Sequence, residues 1–130
     1  MTNQELIAKA KEVVTKAYAP YSHFQVGAAL LAKDGRVFTG CNVENATYGA
    51  TICAERTAVT KAVSEGVREF EKIAIVASSG EYAAPCGICR QVLFEFMPEG
   101  KVVLWSELEG EKEFALTELL PFGFRGEDIK

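Results

Sequence analysis

Along residues 3 to 18 the apolar side chains fall at Leu6, Ile7, Ala10, Val13, Val14 and Ala17, a spacing that lines one face of a helix. Thr2 or Asn3 ahead of Glu5 offers a cap for the first turn, and Pro20 ends the pattern. The period then changes. Phe24 to Ala32 and Val37 to about Val43 are rich in small and branched apolar residues, and Asp34-Gly35 between them is a hairpin signal. Residues 44 to 51 read as a polar loop. Cys53 to Glu65 predicts a second helix, with Ala54, Ala58, Ala62 and Val63 on its apolar side and Gly66 at its C-terminal end. Lys72 to Ala77 is a nearly unbroken apolar run of strand length, which predicts a central strand covered on both faces. A third helix starts near Cys86, turns Ile88, Val92, Leu93 and Phe96 inward, and stops at Pro98 and Gly100. Lys101 to Trp105 reads as a fourth strand, Thr117 to Leu120 as a short helix, and Pro121 to Lys130 as a tail. The predicted order, α-β-β-α-β-α-β-α, is that of one α/β domain over residues 1 to 130, in three layers, with a mixed sheet opened by a hairpin and helices on both faces.

Composition narrows the function. A chain of 130 residues supports one core and not two, and 48% hydrophobic with 25% charged residues is ordinary globular usage. The formal net charge is −4 and the pI is near 5.1. Such a surface lacks the positive field that DNA, RNA polymers or anionic membranes require, so the expected partner is a small, largely neutral ligand. Residues 1 to 10 lack the apolar run of a signal peptide, and no window approaches a membrane span, so the expected location is the cytoplasm. In a reducing compartment Cys86-Gly87-Ile88-Cys89 reads as a metal or redox pair in preference to a disulfide. His23 is the sole histidine, which excludes a metal site built on several histidines of one chain.

Cys53 and Cys86 both fall at predicted helix starts, where unpaired N–H groups and the helix dipole favour a thiolate. With Cys89 they make three thiolates for one zinc ion, leaving the fourth tetrahedral position to solvent, as in catalytic sites. Glu55, two residues from Cys53, is placed to act as general base and acid. Zinc with three thiolates is electron-rich and net negative, and Arg56 is either a hydrogen-bond donor that tempers the sulfurs or a solvated surface residue. Two readings of another class stay open: a structural zinc domain with Cys41 as fourth ligand, and a Cys-x-x-Cys redox module.

The chain carries Y-A-P-Y-S-x-F-x-V-G-A-A at residues 18 to 29, G-C-N-V-E-N at 40 to 45, C-A-E-R-T-A at 53 to 58, P-C-G-I-C-R-Q-V at 85 to 92 and L-L-P-x-x-F at 119 to 124. In this order and spacing it resembles the small, homotetrameric, zinc-dependent cytidine deaminases of pyrimidine salvage, over essentially its whole length. The paired C-A-E and P-C-x-x-C motifs are themselves a zinc-deaminase signature. The resemblance implies that Cys53, Cys86 and Cys89 bind zinc and that Glu55 shuttles the proton while water replaces the amino group at C4 of cytidine or deoxycytidine. It further implies that Asn42 and Glu44 bind the ribose 3′-hydroxyl, that Phe24 packs on the base, and that the Ala54 N–H binds the 2-carbonyl oxygen. Tyr48 and Phe124 would enter the pocket of a neighbouring subunit. Read locally, Phe24 is a core residue, Asn42 and Glu44 are turn residues, and Phe124 anchors the tail. Cys41 is expected to be a small buried residue outside the site, and His23 a surface or interface residue. Blasticidin-type aminonucleoside deaminases share the cysteine motifs, and Asn42-Val43-Glu44-Asn45 favours cytidine over them.

Overall fold

The computed structural model describes residues 1 to 129. Helix α1 (Asn3–Val14) opens on a reciprocal cap, in which Thr2 Oγ1 accepts the Glu5 N–H at 3.1 Å and Glu5 Oε1 accepts the Thr2 N–H at 2.9 Å. It stops at Val14 and does not run to residue 18. The backbone beyond it is drawn into other pairing, since Tyr18 donates its N–H to Asn42 O at 3.0 Å and accepts the Glu44 N–H at 2.8 Å.

The hairpin forms as expected. Strands β1 (Val26–Ala32) and β2 (Val37–Cys41) are joined through Gly35, whose φ of 95° suits a residue without a Cβ. Both strands are shorter than the apolar pattern suggested. Phe24 and Gln25 lie outside β1, and Val43 leaves β2 to make isolated bridges with Tyr18 and Ile52. Helix α2 (Ala54–Ser64) follows, then strand β3 (Phe70–Ala77), helix α3 (Gly87–Phe96), strand β4 (Lys101–Ser106), strand β5 (Gly110–Ala115) and helix α4 (Leu116–Leu119). The sheet order is β2-β1-β3-β4-β5, with β3 and β4 parallel and the other neighbours antiparallel. The sequence reading lacked β5. Its residues Gly110 to Phe114 are mostly charged and exposed, as suits an edge strand, and they carry little apolar signal.

Alternation along the strands separates two cores. Ala29, Leu31, Ala74, Val76 and Val103 meet α1 on one face, while Leu30, Phe38, Ile73, Ile75 and Leu104 meet α2 and α3 on the other. The central β3 is covered on both sides, which is why its sequence reads as continuously apolar. Ile88 departs from expectation. It is 62% exposed, whereas Leu93 is buried and Val92 and Phe96 pack against the core as expected, with Cys89 the other buried position of α3.

Two glycines set the layer spacing. A Cβ on Gly27 would lie 2.3 Å from Ala10 O of α1, and one on Gly40 would lie 2.5 Å from both Ala54 O and Ala58 N of α2. At the opposite end of the sheet, Lys72 Nζ bonds Asn3 Oδ1 at 2.7 Å and pairs with Glu113 Oε1 at 3.1 Å, and Asn3 Nδ2 reaches the same carboxylate at 3.0 Å. That cluster ties the start of α1 to the middle and the edge of the sheet. No helix among the described residues is long and apolar enough to cross a membrane.

Candidate metal centre and active site

Cys53 and Cys86 are the N-cap residues of α2 and α3, each on extended backbone, and Cys89 sits in the first turn of α3 with its side chain buried. The three sulfurs lie within 4.8 Å of one another, and Cys53 Sγ and Cys86 Sγ are 4.0 Å apart. Zinc–thiolate bonds of about 2.3 Å in a tetrahedron place sulfurs about 3.8 Å apart, so the donor set fits zinc with little movement. Among the described residues no fourth donor joins the cluster. Cys41 lies on β2, half-buried and less enclosed than expected, and its sulfur is not part of the cluster, so it does not complete a closed four-cysteine site.

Arg56, one turn into α2, donates through Nη2 to Cys53 Sγ at 3.5 Å and to Thr51 O at 3.4 Å, which decides against the solvated-surface reading. A proton shared from Cys89, together with the Arg56 guanidinium, pulls the Cys53 thiol down to about 5 against the opposing effect of burial. Cys89 is pushed upward, first by that hydrogen bond to Cys53 and then by burial. Glu55 is 5% exposed. Burial, reinforced by the Cys53 thiolate, lifts its carboxyl to about 7.

Glu55, Cys53, Cys86, Ala54, Phe24 and Asn42 share a cavity of about 190 Å³ beside Ile75 of β3. Ala54 is the first residue of α2, so its N–H has no partner within the helix. Asn42 is buried, with Oδ1 accepting the Val26 N–H and Nδ2 donating to Phe24 O, both at 2.8 Å. Phe24 is 44% exposed and is therefore a wall residue, not a core residue. A second cavity of about 370 Å³ adjoins at Thr51 and is lined by Tyr21, Ser22, Glu44 and Tyr48. Glu44 accepts hydrogen bonds from Ser22 and Tyr21, and the Ser22 hydroxyl first among them holds its carboxyl below the usual range. The Tyr48 ring stands edge-on to Tyr21 at 5.9 Å. Phe124 lies apart from both cavities, its carbonyl held by Gln91 Nε2 at 3.0 Å. His23 is exposed, as expected. Thr51, Ser22 and the Ala83-Ala84 pair were not among the expected site residues, although Ser22 stands in the motif at residues 18 to 29 and Thr51 ends the polar loop.

A profile described as the cytidine and deoxycytidylate deaminase zinc-binding region matches residues 1 to 105. The chain belongs to the cytidine deaminase family. Within the family it is 51% identical to the cytidine deaminase of Halalkalibacterium halodurans over 130 residues, covering 99% of this chain and 98% of that one. It is 48% identical to that of Sporosarcina psychrophila, covering 99% and 96%. The crystal structure of cytidine deaminase from Burkholderia pseudomallei superposes with a TM-score of 0.90 at 49% identity, covering 95% of this chain and all of that one. A blasticidin-S deaminase of Bacillus cereus is more distant, at 30% over 129 residues. The family's zinc-binding region and the three-sulfur cluster agree, which favours zinc over the redox-module reading.

Proposed function

We propose that the chain hydrolyses cytidine and deoxycytidine to uridine and deoxyuridine with release of ammonia, using Glu55 as proton carrier. The observation that carries this reading is a buried carboxyl sharing one small cavity with two of three convergent sulfurs. A zinc ion held by Cys53, Cys86 and Cys89 supplies Lewis acidity, which makes water acidic enough to serve as nucleophile near neutral pH. Glu55 takes one proton from the attacking water as its oxygen bonds to C4, and delivers it to N3. The same carboxylate carries the second proton to the exocyclic nitrogen. The C4–N bond then breaks, the oxygen remains as the 4-carbonyl, and ammonia leaves.

Around this centre Arg56 withdraws charge from Cys53 Sγ. Phe24 packs on the pyrimidine, the Ala54 N–H receives the 2-carbonyl oxygen, and Asn42 with Glu44 binds the 3′-hydroxyl. A carboxylate at the sugar also repels a 3′-phosphate, in keeping with a free nucleoside. Tyr48 and Phe124, 74% and 54% exposed, would complete the pocket of a neighbouring chain in a homotetramer. The four free thiols suit a reducing cytoplasm.

Asn42-Val43-Glu44-Asn45, together with the higher identity to cytidine deaminases, favours cytidine over blasticidin-type substrates. The test follows the ultraviolet absorbance of cytidine with wild type and Glu55→Gln, alongside metal analysis. Both proteins are expected to hold about one zinc per chain, with turnover by wild type alone. Zinc without turnover of cytidine by wild type would overturn the reading in favour of a structural metal site.

A further inference from the structure

We infer that Ser22 is a positioning residue for the sugar end of the site, fixing the Glu44 carboxylate relative to the Phe24 ring. The inference rests on the reading of Glu44 given under the proposed function. Three donors from two successive residues converge on this carboxylate. Oε1 accepts the N–H groups of Tyr21 and Ser22 at 3.0 and 3.1 Å, and Oε2 accepts the Ser22 hydroxyl. The oxygen of that hydroxyl in turn accepts the Phe24 N–H at 3.1 Å. One side chain therefore joins the group assigned to the sugar and the residue assigned to the base.

The backbone between them is built for this link. His23 has a φ of 59°, a left-handed conformation unfavourable for a residue with a Cβ, and its N–H is tied back to Ala19 O at 3.0 Å. Beyond Phe24, the Asn42 amide grips Phe24 O and the Val26 N–H. Residues 21 to 26 are thus bound by Glu44 at one end and Asn42 at the other. An ionised carboxylate has about four acceptor directions. Three are used here, which leaves Oε2 with capacity for a ligand hydroxyl on the wall of the cavity it shares with Ser22. A carboxylate already oriented loses less freedom when that hydroxyl arrives.

The test compares KM and kcat of wild type and Ser22→Ala on cytidine and on 3′-deoxycytidine, with thermal midpoints as a check on folding. Wild type is expected to discriminate between the two nucleosides in KM. Ser22→Ala should raise KM for cytidine about tenfold with kcat within about twofold, and should raise KM for 3′-deoxycytidine far less. An unchanged KM for cytidine, or an equal rise on both nucleosides, overturns the positioning role while leaving the ribose reading intact. Wild type that fails to discriminate between the nucleosides overturns the ribose reading itself, and this inference with it.

Discussion

Both ends of the Asn42 amide are bonded to backbone, at a residue 8% exposed, and this explains how a polar side chain is tolerated there. Asn42→Ala would leave Phe24 O and the Val26 N–H without partners and free the segment that carries Phe24. Chemical denaturation should register a loss of about 2 kcal/mol, with a raised KM for cytidine in the same variant. At this scale the sequence was legible where chemistry is local. Cys53, Glu55 and Arg56 share a helix start, and Cys86 and Cys89 share another, so spacing alone groups them. The role of Ser22 was not legible, because it depends on a partner 22 residues away that the Tyr18–Val43 bridge and the Asn42 amide bring close.

Helix α2 owes its seat to Gly40. A methyl group there meets main-chain atoms of Ala54 and Ala58, which cannot swing aside as a flexible side chain would. Gly40→Ala is therefore expected to push α2 off β2 and cost about 1 to 3 kcal/mol in urea unfolding. It should also speed the loss of zinc to a chelator, since Cys53 and Glu55 ride on the first turn. Unchanged unfolding and unchanged metal release would show that α2 can shift without consequence. The elements most legible in sequence were those with strong periodicity and clear stops, namely α2, α3 and the central β3. The hairpin strands were read too long because apolar composition continues past the point where Asn42 and the left-handed His23 redirect the chain. Strand β5 was missed because an edge strand needs no apolar run, and its pairing with β4 comes from backbone alone.

Across the whole molecule the metal centre joins two helices that β3 separates in sequence. Zinc that binds the folded arrangement and not the unfolded chain stabilises the former by mass action. Dialysis against a strong chelator should lower the thermal midpoint by roughly 10 °C, and added zinc should restore it. A midpoint indifferent to zinc, with the metal shown to be gone, would mean that α2 and α3 need no bridge.

The cluster of Asn3, Lys72 and Glu113 fastens the first turn of α1 at the start of β3, while the cysteines gather past the far end of that strand. Any peptide joined ahead of Thr2 thus emerges on the side remote from the chemistry. An affinity handle or surface tether placed there should leave nucleoside entry unobstructed, whereas one attached beside Phe124 would crowd aromatic side chains proposed to serve an adjoining copy.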